Sequence, residues 1–369
     1  MKRICLNIIL LLTGVMASCG QPAPSTPPDS PKPSYRLCNP NATAEAQKVF
    51  EVLSRLYGEK IISGTVALVD WNTTEAEHVY EWTGRYPALN GFDFINIANS
   101  KDVNPSGWLD YSDISVVEAW WRAGGLVSGM WHWQMPTNSG NGMTCTPGSG
   151  AQETAFDCSK ISDKQSSEYK RVVQDIDQVA GYLKKMQRQG IPVLWRPLHE
   201  AAGNTYEFDS GKAWFWWGAQ GAEAYIALWR LMYDRLVNYH GLNNLIWVWT
   251  AQTGDHSWYP GDEYVDIVGR DNYYALQYPL AKEYKALSEQ YPDKMITLAE
   301  CGNGDQVDMS LLSDIWAEGG KWSWFMTWYD YSYQQGSTRH RYADRAWWTE
   351  AFSQPYVVTR EQMKELLEQ

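Results

Sequence analysis

The sequence predicts an α/β fold, a single (β/α)8 TIM barrel, on three observations. Amphipathic segments and short apolar runs alternate along most of the chain, and eight of the runs read as strands. No G-x-G-x-x-G or Walker pattern follows an early strand, as an open doubly wound sheet binding phosphates would want. The 369 residues would suit two domains, but single α/β barrels reach this size and no second motif set is present.

The elements follow in order. Residues 43–57 predict a helix capped by Asn41 or Thr43 and ended by Gly58, and 60–65 is the first strand. Helix 73–82 leads to the second strand, 86–94, and helix 113–122 with Gly124-Gly125 to the third, 126–133. The longest helix, 166–188, places Val172, Ile176, Val179, Leu183 and Met186 at three- and four-residue steps. The fourth strand is IPVLWRPLHE (191–200), an apolar run that ends abruptly in Arg196, His199 and Glu200. Helix 219–239 precedes the fifth strand, 245–250, and a short link the sixth, 265–273. Helix 280–290 precedes the seventh, 295–300. Helix 311–318 and Gly319-Gly320 precede the eighth, 322–328, and helices 341–352 and 359–367 close the chain.

Residues 1–19 are expected to be a lipoprotein signal. Lys2 and Arg3 precede an apolar stretch too short to span a membrane, and Met16-Ala17-Ser18-Cys19 resembles a bacterial lipobox with Cys19 lipidated. Residues 20–37 form a tether, with five prolines among 21–32, and 38–369 the catalytic domain. No acidic run follows Cys19, which favours a periplasm-facing anchor in the envelope of a Gram-negative bacterium. Membrane contact is expected only through that lipid. Cys145 and Cys158 share one polar loop and could bridge, leaving Cys38 and Cys301. The six His and six Cys show no metal-ligand spacing, and no cofactor is called for.

Net charge is −12 with no basic run beyond the N-terminus, which argues against a nucleic-acid partner. The 21 Trp and 23 Tyr against 8 Phe suggest flat apolar faces with polar edges, surfaces that suit sugar rings. Of the alternating Trp131, Trp133, Trp247 and Trp249, about half are expected to face helices.

Active residues of a barrel come from the C-terminal tips of its strands. The tips offer His132, His199 with Glu200, Asp271 with Tyr273, Glu300 and Trp328. Strand alternation puts Leu194, Arg196, Leu198 and Glu200 on one face, and Ile296, Leu298 and Glu300 on one face of theirs. Two Glu facing across a cleft suit glycoside hydrolysis, with an expected carboxyl separation of roughly 5–5.5 Å. The alternative is that both are rim partners of Arg196 or Arg270.

Taken together, RPLHE (196–200), WFWWG (214–218), WHW (131–133), DNYY (271–274), AECG (299–302) and WSWFMTWY (322–329) resemble glycoside hydrolase family 26, best known for β-mannanases. The resemblance implies a retaining hydrolase with Glu200 as acid/base and Glu300 as nucleophile. It implies sugar contacts from His132, His199, Trp214, Asp271, Tyr273 and Trp328. Two departures stand out: the long segment 201–213 behind Glu200, and Cys301 after Glu300. The expected function is an endo-β-1,4-mannanase, a monomer, acting on mannan, galactomannan, glucomannan or manno-oligosaccharides and releasing mannobiose if either long loop, 134–165 or 201–213, closes the cleft. The same mechanism on β-1,3-xylan or mixed-linkage β-glucan, or a lipoprotein that binds glycans without cleaving them, are the alternatives. Loop 134–165 is expected to wall the non-reducing side of the cleft.

Overall fold

Eight short runs, buried along their whole length, pair side by side as parallel strands in the computed structural model, which describes residues 35–207, 211–304 and 309–369. They are β1 (Ile61–Val66), β2 (Leu89–Asp93), β3 (Leu126–Trp131), β4 (Val193–Pro197), β5 (Leu245–Ala251), β6 (Ile267–Asn272), β7 (Met295–Cys301) and β8 (Trp324–Thr327). Neighbours in sequence are neighbours in the sheet, and β8 pairs with β1, Ile62 opposite Trp324 and Thr65 opposite Thr327. Closure removes both sheet edges, so every strand can be apolar on two faces. This is the predicted (β/α)8 barrel, with each strand within three residues of its expected start and end.

Helices α1 (Ala44–Leu56), α2 (Thr74–Thr83), α3 (Ser115–Arg122), α4 (Ser167–Arg188), α5 (Gly221–Tyr233), α6 (Leu280–Gln290), α7 (Leu312–Ala317), α8 (Arg345–Ser353) and α9 (Arg360–Glu368) are the helical complement. Thr43, not Asn41, caps α1 by accepting from the Ala46 amide, a contact worth about 1 kcal/mol. The predicted helix 219–239 ends its regular part at Tyr233 and widens into a π turn over Asp234–Tyr239.

Two apolar layers hold the barrel. Ile62, Leu89, Met130, Leu194, Ile246, Ile267, Met295 and Met326 belong to the cluster that fills its interior. The opposite strand faces, with Val127, Trp195, Val268 and Phe325, meet the helices in a larger cluster. The interior is so full that a Cβ on Gly91 would lie 2.9 Å from the Met326 sulfur, so a larger residue there would have to displace the Met326 and Met130 side chains.

Several expectations change. The lipidated Cys19 and residues 1–34 lie outside the described residues. Tyr35 and Cys38 both pack on the barrel: Tyr35 meets Tyr57 edge-on at 5.6 Å, and the Cys38 amide donates to Asp266 Oδ1 at 2.5 Å. Cys145 and Cys158 do not bridge; both are free thiols, Cys158 buried and Cys145 half-buried. Trp131, Trp133, Trp247 and Trp249 all belong to the outer cluster, not half of them. At least eleven of the 21 Trp are fully buried, so most of the indole surplus is core, not sugar platform. Some of these indoles bind a carbonyl across a layer, as Trp120 does to Leu126 at 2.9 Å and Trp217 to His199 at 2.9 Å, while the N–H groups of Trp195, Trp247 and Trp322 are buried without a partner among the described residues.

Candidate active site

Strand β4 stops at Pro197, and the two residues expected to continue its alternation do not. Leu198 and Glu200 both take left-handed backbone conformations, φ 51° each, which cost a non-glycine residue about 1–3 kcal/mol apiece. Three hydrogen bonds offset the strain. The Leu198 carbonyl accepts from the Tyr225 hydroxyl at 3.2 Å, that of His199 from the Trp217 indole, and that of Glu200 from the Gly203 amide at 2.9 Å. Leu198 is carried to the outer cluster and Glu200 to the barrel mouth.

Glu300 also departs from simple alternation. Ile296 and Leu298 pack in the outer cluster, so strict alternation would turn Glu300 outwards with them. Instead Arg270 of β6 pairs with Leu298 and Asp271 with Glu300, while Phe325 and Thr327 of β8 pair with Leu298 and Cys301. One extra residue, Ala299, bulges β7 between both neighbours and turns Glu300 inwards.

Arg196, buried in the barrel, receives it. One terminal nitrogen of the guanidinium is ion-paired with Glu300 Oε1; the other donates to Asp271 Oδ2 at 2.8 Å and to Thr250 Oγ1 at 3.3 Å. Tyr273 donates its hydroxyl to Glu300 Oε2 at 2.7 Å. Burial foremost, then Glu300 and Asp271, hold the Tyr273 phenol well above its ordinary value, so it remains a donor. Asp271 is pushed up to about 7 by burial, against the pull of Arg196, and its Oδ1 has no partner among the described residues. Arg270 is not the partner of either Glu: it pairs with Glu207 at 2.8 Å and Glu283 at 3.1 Å.

The Glu200 carboxyl is held well above the usual carboxylate range. Burial is the main cause, reinforced by Asp271 and Glu300 and opposed by Arg196 and Arg270. A carboxyl that keeps its proton beside a carboxylate fixed by two donors is an acid beside a base.

Two imidazoles complete the centre. His132 faces Asp93 at the tip of β2, Nδ1 to Oδ2 at 2.5 Å and backbone N to Oδ1 at 3.0 Å, and its Nε2 lies 3.1 Å from Nε2 of His199. Burial opposes charge on His132, but Asp93 and then Glu300 outweigh it and raise its pKa. Burial, Arg196 and His132 hold His199 well below its ordinary value. This assigns the proton between the rings to His132, with His199 as neutral acceptor. His199 Nδ1 is buried without a partner among the described residues.

Aromatic walls stand on either side. Half-buried Trp328 meets His132 edge-on at 5.9 Å and stacks on Tyr329 at 4.8 Å. Trp214 lies against the Gly203 backbone so closely that a Cβ there would be 2.4 Å from the indole. With Glu200 it lines a cleft of about 1270 Å³ between loop residues 146–156 on one side and 204–206 with 211–222 on the other. Glu200, Glu300, His132, His199, Asp271, Tyr273 and Trp328 thus gather around Arg196, and Trp214 lies on the Glu200 side.

Asp93 and Phe215 were not foreseen. Asp93 shares the inward parity of Leu89 and Gly91, a signal the strand-tip argument could have used on β2. Phe215 touches both imidazoles, at 5.7 Å from His132 and 5.5 Å from His199, yet nothing within WFWWG distinguishes it from the buried Trp216 and Trp217.

Residues 38–362 match the profile of glycosyl hydrolase family 26. A mannan endo-1,4-β-mannosidase of Thermothelomyces thermophilus is 37% identical over 82% of this chain and 60% of its own length. One from Bacillus subtilis is 28% identical over 88% of each chain. The family 26 domain of a Prevotella bryantii endo-β-mannanase/endo-β-glucanase superposes with a TM-score of 0.78 at 38% identity, over 89% of this chain and 98% of that one. A β-mannanase from a symbiotic protist of the termite Reticulitermes speratus, complexed with gluco-manno-oligosaccharide, gives 0.75 at 30%, over 90% and 98%. The chain spans 60% and 48% of the first two curated relatives it matches.

Proposed function

The chain belongs to glycosyl hydrolase family 26, and from that premise we propose that it is a retaining endo-β-1,4-mannanase, cleaving mannan, galactomannan or glucomannan by double displacement. The observation that carries this is the asymmetry of the two Glu: the Glu200 carboxyl at the mouth is held well above the usual carboxylate range, and Glu300 is fixed by Arg196 and Tyr273. Relatives of this chain bear the name of mannan endo-1,4-β-mannosidase, which supports the substrate class.

In the first step Glu200 donates its proton to the glycosidic oxygen while Glu300 attacks the anomeric carbon, forming a glycosyl ester and freeing the reducing-side chain. Esterification removes the Glu300 charge, one of the causes holding the Glu200 pKa high, so Glu200 is better able to remain ionised and act as base. It then takes a proton from water, which attacks the same carbon and returns Glu300 as a carboxylate. Two inversions give net retention. His132, anchored on Asp93, with His199 and Trp328, shapes the sugar site beside Glu300.

The acid stands next to the leaving group, so the cleft shared by Glu200 and Trp214 takes the leaving-group chain. Loop residues 146–156 line that side. A lipid at Cys19 with residues 20–37 as tether would hold the enzyme, as a monomer, at the periplasmic face.

Incubation with β-mannan, galactomannan, glucomannan, β-1,3-xylan and mixed-linkage β-glucan, with products sized over time and the first anomer read by NMR, tests the proposal. Short manno-oligosaccharides of retained configuration are expected. Inverted product would defeat the double displacement, and cleavage of xylan or glucan alone would defeat the substrate.

A further inference from the structure

We infer that a second cavity, on the outer side of β3, binds one hexopyranose unit of a neutral glycan; this rests on the glycan-hydrolase reading above. The cavity has a volume of about 320 Å³ and lies among β3, the segment after β2, and α4. That is the low end of the range for small-molecule sites, about 300–1,000 Å³, and suits a single ring. It is separate from the catalytic centre because Trp131 and Trp133, which line it, point away from the face that His132 presents to the mouth.

The walls combine what a pyranose offers. Ile97, Val103 and Trp133 form an apolar side for C–H groups, and Asp175, Arg171 and Gln174 of α4 form a polar one. Asp175 Oδ2 accepts from both the Trp133 indole, at 2.9 Å, and Arg171 Nε, at 2.8 Å. Among the described residues that leaves Asp175 Oδ1, the two terminal nitrogens of Arg171 and the Gln174 amide without hydrogen bonds. An acceptor beside a forked donor matches two adjacent hydroxyls, one donating to the carboxylate and one accepting from the guanidinium. The positive charge is already balanced by Asp175, so a neutral ligand fits better than a phosphate or carboxylate.

Gln134 and Met143 line the same cavity, and their loop continues into residues 146–156, which wall the catalytic cleft. A sugar held here keeps a polymer beside the groove without entering it.

The test uses the full barrel with two α4 variants, Arg171→Ala, which removes the fork, and Gln174→Trp, which fills the cavity. Circular dichroism melting confirms that each is folded. Retention on insoluble β-mannan should weaken about tenfold, the loss of one charge-assisted hydrogen bond. Turnover of soluble mannopentaose should stay within about twofold of the parent. Unchanged retention in both folded variants overturns the proposal, as does mannopentaose turnover falling in step with retention, which would put the cavity in the catalytic groove. If the parent cleaves no mannan, the function reading fails separately, and retention on mixed-linkage glucan, with the same variants, still decides the cavity. A parent retained on neither polymer overturns it.

Discussion

Arg196 and Glu300 come from β4 and β7, with two strands between them, and meet in a buried ion pair at the barrel mouth. The same guanidinium also holds Asp271, so one cation organises two carboxylates, and the Glu200 carboxyl beside them is held well above the usual carboxylate range. The following outcomes are expected from this arrangement.

Glu300→Ala removes the attacking atom. Turnover of mannan should fall below detection while the melting temperature shifts little, because Arg196 retains Asp271. Activity above about one part in a thousand of the parent would exclude Glu300 as nucleophile.

Glu200→Ala removes the acid. Polysaccharide turnover should drop by about 10²- to 10⁴-fold. Aryl mannosides whose leaving groups need no protonation should lose much less. Equal losses on both substrates, measured as kcat/KM, would assign Glu200 another role.

Asp271→Asn removes a negative charge that raises the Glu200 pKa. Glu200 must be protonated to act, so activity falls as pH rises through its pKa. In the variant that alkaline limb should move to lower pH. A kcat/KM–pH profile reads it, and a limb that stays put or moves upwards would contradict the coupling.

Asp93→Asn removes the partner that raises His132. A histidine raised on folding gives stability that is fully present below its unfolded value, about 6.5, and is lost as pH climbs through the raised folded value. The Tm deficit of the variant should therefore be larger at pH 6 than at pH 9, which thermal melts at the two pH values will show.

Gly203→Ala places a methyl 2.4 Å from the Trp214 indole, so the ring or its loop must shift. KM on mannan should rise about tenfold, the value of one displaced aromatic contact, with a smaller change in kcat.

Much of the barrel is legible in the sequence because buried parallel strands carry continuous apolar runs, and Gly or Pro punctuates them. The tips of β4, β6 and β7 could be named because ionisable side chains interrupt those runs. The route to each tip could not. Alternation was the wrong reason for Glu200, which is reached through two left-handed residues, and for Glu300, which is turned by a bulge. Both devices depend on contacts from distant segments, such as Tyr225 and Trp217 to the 198–199 carbonyls, that no local pattern records. The indole surplus misled for a related reason: hydrogen-bonded core Trp and sugar-facing Trp have the same composition, and only depth separates them.

The residue inserted at Ala299 changes the parity of β7 without changing its height. Leu298 stands opposite Arg270 and Glu300 opposite Asp271, so Glu300 occupies the level that residue 299 would hold in a regular strand. Everything beyond the insertion is shifted by one, and Cys301 lies opposite both Asn272 and Thr327. Deleting Ala299 would join Glu300 directly to Leu298 and still leave it opposite Asp271, facing inwards; what the strand would lose is the local twist of the bulge. The level of the nucleophile in this barrel is thus set by its neighbours' ladder, and the inserted residue is the slack that lets the count along β7 differ from theirs.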